Sequence, residues 1–559
     1  MGCGVWGVGC RVWGVGCRVW GVGKWGEKSC LLSPVSCLLT PNPTNKLFQQ
    51  TLIIKKMTQI TVIGAGIGGL TAAALLARRG YQVTVYDQAL VPGGCASTFS
   101  RRGFTFDVGA TQVAGLEVGG IHQRIFAELG IDLPDSVPCD PACAVFLPGE
   151  TTAINVWRDR QKWQEERQKQ FPGSEPFWQL LQKLFQASWR FQSRDPVLPP
   201  RNWWDLGQLI AALRLDTAIT FPFTLMTVGD ALRLYGLERD KRLKTFLDLQ
   251  LKLYSQVTAD ETALLYAATA LAVSQSPQGL SHLQGSMQVL SDRLVTALEK
   301  YGGKLQMRHT VEKILTEKKK ATGIIVRNQK NGQIYPEMAD EIVANIPIQN
   351  LPQLIDREAI PSLYHRRIEK LPPASGAFVV YLGVDRAAIP PDCPPHLQFL
   401  YDYDGIIGEN NSLFVSVSKE GDGRAPVGKA TIIASSFTDT SLWWRKGEDN
   451  YQQLKAAYTQ EAIDRLGNYF HLSPDHIVHM ESATPRTFER FTGRNQGIVG
   501  GIGQRLSTFG PFGVATRTPI PHLWLVGDST HPGEGTAGVS YSALTVVRQI
   551  ENQLSSRAK

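Results

Sequence analysis

Residues 59–87, QITVIGAGIGGLTAAALLARRGYQVTVYD, constrain this chain more than any other stretch. Ile60–Ile63 is a short apolar run suited to a buried strand, and it leads into Gly64-x-Gly66-x-x-Gly69. Leu70, Ala73, Ala74 and Ala77 then share one helical face, and Gly80 supplies a left-handed stop. Val83–Tyr86 makes a second strand, which ends in Asp87, 18 residues past Gly69. Each part has a physical task. The glycines permit a tight turn and a close backbone approach, the helix N-terminus faces a pyrophosphate, and the acid takes ribose hydroxyls. The spacing predicts a dinucleotide held by Gly64, Gly66, Gly69 and Asp87, and the acid argues against a 2′-phosphate. Taken alone, the fingerprint does not separate FAD from NAD.

Upstream, the unit VWGVGCR occurs twice in tandem from Val5 and is followed by VWGVGK. Its glycines, at about 1 kcal/mol each, oppose a helix. The absence of histidine from residues 1–56 opposes a zinc site, and the Gly–Trp–Arg mixture offers no apolar core for a signal peptide. We therefore expect residues 1–56 to be a disordered extension or a mis-assigned start, with the working protein beginning at Met57. Charge divides at the same place. Seven of the 58 basic and one of the 50 acidic residues precede Met57, leaving a body of 51 against 49. A near-neutral body gives no electrostatic case for a nucleic-acid partner. The body's four cysteines, Cys95, Cys139, Cys143 and Cys393, lack metal-ligand spacing, so no metal is expected.

Three further stretches carry a resemblance. Residues 92–109 read PGGCASTFSRRGFTFDVG, residues 285–316 place a helix and strands after GSMQVLSDRL, and residues 523–542 read LWLVGDSTHPGEGTAGVSYS. Together with the fingerprint they resemble the amine-oxidase and phytoene-desaturase flavoproteins from Met57 to about Gln553. The resemblance implies an α/β fold: a discontinuous Rossmann-like FAD-binding domain with an inserted α+β substrate domain. It divides the chain into FAD-binding pieces 57–150, 281–350 and 486–559 and substrate pieces 151–280 and 351–485. It also implies FAD as cofactor, contacted by Gly93, Gly94, Gly527 and Asp528, with Asp528 on the ribitol. Val311 would meet the adenine, its alternative being an ordinary core position.

Within that group, Thr530-His531-Pro532-Gly533-Glu534-Gly535 is similar to the desaturase form of the loop, and the combined motifs most resemble the carotenoid 3′,4′-desaturases of cyanobacteria. Cys95 stands where amine oxidases carry Arg, which removes the amine-oxidase reading of the site. The expected activity is therefore introduction of a double bond into the acyclic end of a hydroxylated γ-carotene. Quinone or dioxygen would take the electrons, and His531 and Glu534 are the candidate proton acceptors, unless they serve only the loop or the flavin position. Two alternatives remain: reduced-flavin cis–trans isomerisation of a carotene, and a non-enzymatic lipid escort, against which the intact glycine and Asp motifs count.

A C40 polyene also requires access to lipid. The stretch 201–237 is apolar, with Trp203, Trp204, Arg214 and Arg233 at its edges, and its best run is broken by Pro222 and three threonines. This composition suits a peripheral dip or a buried helical pair. We expect peripheral attachment, on the cytoplasmic face of a thylakoid or plasma membrane in a photosynthetic bacterium.

Overall fold

The computed structural model describes residues 57–558 except Lys446. The reading of residues 1–56 lies outside them. Strand β1 (Gln59–Ile63), helix α1 (Ile67–Arg78) and β2 (Gln82–Asp87) form the first crossover unit. Three distant segments complete its sheet: β3 (Lys304–Met307), β5 (Glu341–Ala344) and β6 (Leu523–Leu525). The order is β6-β5-β1-β2-β3 and every pairing is parallel. Such a sheet is buried on both faces, so Ile60–Ile63 of β1 and all of β5 are withdrawn from water, Thr61 and Glu341 included.

On one face, Leu70, Ala73, Ala74 and Ala77 of α1 are buried with Ala543, Val546 and Val547 of the last helix, α2 (Thr536–Ala558). Small side chains on α1 allow that close packing. Gly80, at φ +84°, lies just beyond the end of α1. Gly69 cannot be anything else: a Cβ there would stand 2.0 Å from the Gly64 carbonyl oxygen.

Strand β4 (His309–Glu317) heads a separate antiparallel ribbon with Lys320–Asn328 and Ile334–Met338. The pattern of Ile334–Met338 is interrupted by Pro336. As the edge strand of the ribbon it tolerates proline, which has no N–H to give a ladder.

The second layer is a seven-stranded mixed sheet. Its order is Ile477–Ala483, Gly376–Asp385, Lys429–Thr438, Ser412–Val417, His396–Leu400, Cys143–Phe146 and Ile154–Val156. Helices between Arg160 and Ala272 cover one end of it, and Cys139 and Cys143 are plain core residues there. A buried charged cluster joins this layer to the dinucleotide half. Asp107 (1% exposed) accepts from Met287 N and pairs with Arg424 (2% exposed) at 3.0 Å, while Arg424 also meets Asp422 and His282. Asp107, part of the second motif, is therefore a fastening residue within the core.

Candidate functional site

One cavity of about 920 Å³ contains both ends of the chain's motif set. At its inner end the loop carrying Gly93 and Gly94 crosses the turn that opens α1. Gly93 N donates to Ala65 O at 2.8 Å, and a Cβ on Gly94 would come within 3.3 Å of Gly66 Cα. Gly66 is the N-cap of α1 and provides no side-chain cap, so the helix presents bare backbone N–H groups to the cavity. A concave turn without side chains, at a helix N-terminus, fits a dinucleotide's pyrophosphate.

Of the other predicted contacts, Gly69 does not line the cavity and serves the close packing of the turn, whereas Gly64, Asp87, Val311, Gly527 and Asp528 line it. Asp87 does so while its two oxygens accept from Ala65 N (2.6 Å) and Ala89 N (2.7 Å). Burial raises its pKa, and the two backbone N–H groups work the other way. Asp87 thus shapes the turn as well as offering its remaining lone pairs to a ribose. Val311 lies on β4 beside a bulge between Val311 and Lys313, and it also packs against the Ile314–Ile324 core. Gly527, at φ +112°, donates from its N–H to Ser542 Oγ at 3.0 Å. Asp528 Oδ2 sits 2.7 Å from Arg494 Nη2.

His531 and Glu534 hang from the loop that leads into α2. His531 Nε2 lies 3.3 Å from Gln192 Oε1, at the end of the helix Glu175–Gln192. With Oε1 as the acceptor the ring proton lies on Nε2, and Nδ1, buried and without a partner among the described residues, carries the lone pair. Desolvation lowers the His531 pKa to about 4, so the ring is neutral at pH 7. Glu534 Oε2 accepts from Gln256 Nε2 (2.9 Å) and Gly501 N (3.2 Å), while Oε1 is buried and has no partner among the described residues. Burial lifts the Glu534 carboxyl to about 8 against those two hydrogen bonds, so it carries its proton at pH 7. The loop therefore offers one proton acceptor, His531 Nδ1, and one donor, Glu534. The expectation that Glu534 is a resting base is therefore revised: desolvation, reinforced by the charge of Asp528, outweighs the Arg494 cation and the two hydrogen bonds and favours the neutral carboxyl.

Beyond the loop the walls are mainly apolar, with Leu249, Leu253, Leu265, Val273 and Leu280 among them, interrupted by Lys252, Gln398 and Ser436. The cavity then reaches Leu209, Leu213 and Phe221, of which Leu213 and Phe221 are also exposed on the outer surface. Among the described residues no group of three His, Cys, Asp or Glu side chains gathers to hold a metal ion.

Residues 62–129 match the family described as an NAD(P)-binding Rossmann-like domain. Prolycopene isomerase 2, chloroplastic, of an Oncidium hybrid cultivar is 28% identical over 507 residues, covering 88% of this chain and 84% of the relative. A 4,4′-diapophytoene desaturase (4,4′-diapolycopene-forming) of Methylomonas is 23% identical over 519 residues, 88% of this chain and 95% of the relative. Among solved structures, an oxidoreductase from Methanosarcina mazei superposes with a TM-score of 0.58 at 18% identity, covering 88% of this chain and 100% of that one. A putrescine oxidase double mutant gives 0.56 at 13% identity, with 89% and 99% covered. The fold is that of the FAD-dependent amine oxidases.

Sequence reasoning missed four residues at this site: Arg494, Gln256, Gln192 and Asn345. None sits in a recognisable local pattern, and each meets its partner across a long stretch of chain. Arg494 also donates from Nε to Ile498 O and from Nη2 to Gly500 O, both at 2.6 Å, so it organises the loop beside Asp528.

Proposed function

We propose that the protein is an FAD-dependent oxidoreductase that modifies a carotenoid, and that it desaturates the acyclic end of a hydroxylated γ-carotene. The observation that carries this reading is the single cavity running from the glycine cradle, past His531 and Glu534, to an apolar lip. A water-insoluble chain with no heteroatom at its reacting bond needs apolar walls and an entrance compatible with lipid; it needs no charged clamp.

FAD, when bound, supplies the two-electron acceptor for a hydride leaving an allylic carbon. The chain's residues do the rest. The apolar walls keep water from the reacting carbons and hold the polyene straight. His531 Nδ1 takes the proton that leaves the neighbouring carbon, with Gln192 fixing the ring. Gln256 and Gly501 fix the position of Glu534 by donating to its Oε2, while burial keeps the carboxyl protonated and so unable to take that proton.

Isomerisation of a cis-carotene is the second reading, favoured by two observations. Prolycopene isomerases are among the relatives at 26–28% identity, and Glu534 presents a proton to the cavity. A donor suits reversible protonation of a polyene, which changes geometry without net oxidation.

The outer lip supports peripheral attachment to a membrane. Leu215 is 95% and Trp203 87% exposed, with Leu225 and Ile210 beside them in sequence, while no helix among the described residues is long and apolar enough to cross a bilayer. We place the protein on the cytoplasmic face of a photosynthetic bacterium's thylakoid or plasma membrane, where quinone or dioxygen accepts the electrons.

The deciding experiment supplies FAD-loaded protein with a monocyclic 1′-hydroxylated carotenoid and a quinone, and in parallel with a poly-cis carotene under anaerobic reducing conditions. Product two mass units lighter supports desaturation. An all-trans product of unchanged mass, formed without acceptor, supports isomerisation. Neither product from loaded protein sinks both.

A further inference from the structure

The two glycine motifs that frame the cofactor cradle come from opposite ends of the chain, and one side chain fills the space between them. Asn345 follows β5 directly, and its N–H donates to Ile63 O at 2.8 Å, so it stands at the carboxyl edge of the sheet between β1 and β6. Its Nδ2 reaches the Gly64 carbonyl at 3.4 Å, a long bond and the single one recorded for this amide among the described residues. A Cβ added at Gly66 would stand 2.8 Å from Nδ2, and one added at either Gly68 or Gly527 would stand 2.9 Å from Oδ1. Three glycines from the two motifs are thus bare where this one amide needs room. Asn345 also lines the cavity.

We propose that Asn345 is a further cofactor-binding residue, whose side-chain N–H groups are donors to the pyrophosphate and whose amide joins the α1 turn to the Gly527 turn. The inference rests on the FAD reading above. The uncapped N-terminus of α1 and the glycine turn already favour an anion. Nδ2 is the side-chain donor held against that turn, and its weak bond to Gly64 leaves donor capacity for a ligand oxygen. The same position would be hostile to a carboxylate once the cofactor arrives, although a carboxylate alone would suit the helix terminus.

That opposition gives a test that a merely structural residue would not pass. Asn345→Asp keeps the shape and adds a negative charge near the helix N-terminus. In cofactor-free protein the melting temperature should hold or rise, while the Kd for FAD, read from flavin fluorescence, should rise about tenfold or more. ADP, which carries the pyrophosphate, should weaken in parallel, and adenosine should not. Asn345→Ala makes the same comparison without charge, with FAD and ADP weakened and adenosine unchanged. Equal affinity of wild type and both variants for FAD and ADP overturns the proposal. So does a loss shared by adenosine, or a fall in cofactor-free stability for Asn345→Asp that accounts for its weaker binding. Wild-type protein that binds no FAD would instead overturn the cofactor reading, and this inference with it.

Discussion

The guanidinium of Arg494 holds the carboxylate of Asp528 at 2.7 Å, and both side chains are largely withdrawn from water. Removing the cation strands a partly buried charge. Arg494→Ala should therefore cost about 3 kcal/mol in the cofactor-free protein, read by urea denaturation. Asp528→Asn with Arg494→Met, which removes both charges, should recover most of it. A single variant as stable as wild type would show that the pair contributes nothing.

Asp87 has two duties, so its replacement should show in two measurements. Asp87→Ala leaves Ala65 N and Ala89 N without their acceptor. It should lower cofactor-free stability by about 2 kcal/mol and FAD affinity by about 1.5–3 kcal/mol. Full affinity on a destabilised protein would make Asp87 a turn-former alone.

The acid and the base on the loop should separate by variant. His531→Phe keeps an aromatic ring between Phe509 and Tyr541 but removes Nδ1. It should slow desaturation by about 10²-fold or more with FAD binding intact. Glu534→Gln should spare desaturation at neutral pH and abolish any isomerisation. The reverse pattern would transfer the proton-accepting role to Glu534.

Glu534 also sets a pH dependence whose sign is fixed. Its pKa in the folded protein is about 8, above the value of roughly 4.3 expected for an unfolded chain. The folded state therefore holds the proton more tightly. The stability this confers is complete below about pH 4 and is lost as pH rises to 8. The cofactor-free melting temperature of wild type should fall from pH 5 to pH 8 relative to Glu534→Gln. Parallel curves for the two proteins would mean that the carboxyl is ionised throughout.

The lip can be tested apart from the chemistry. Trp203→Ser with Leu215→Ser should reduce co-sedimentation with lipid vesicles while leaving FAD content unchanged. Undiminished sedimentation would place any membrane contact elsewhere.

What the sequence disclosed, and what it concealed, follows from how far apart the partners lie. The turn at Gly64–Gly69, helix α1 and Asp87 all satisfy constraints within one short stretch, and their spacing alone reveals them. Gln256 and Glu534 are 278 residues apart and their bond depends on how two layers stack. No periodicity encodes that. Glu534 was legible as a titratable group in a glycine-rich loop, but its protonation was not, because that is set by neighbours the sequence does not place beside it. Asn345 was hidden for a further reason: its signature is the absence of side chains at Gly66, Gly68 and Gly527, and the two glycine motifs already accounted for Gly66 and Gly527.

The fastening of Asp107 to Arg424 bears on how a long molecule is loaded. Swinging the two layers apart would undo an ion pair sealed from water, together with the bond from Met287 N to Asp107. A clamshell that engulfs its guest sideways is thus disfavoured. On the carotenoid reading proposed above, the guest would instead thread lengthwise through the lip, like a rope into a sleeve, and the bonds near its tip would be the ones to reach the cradle first.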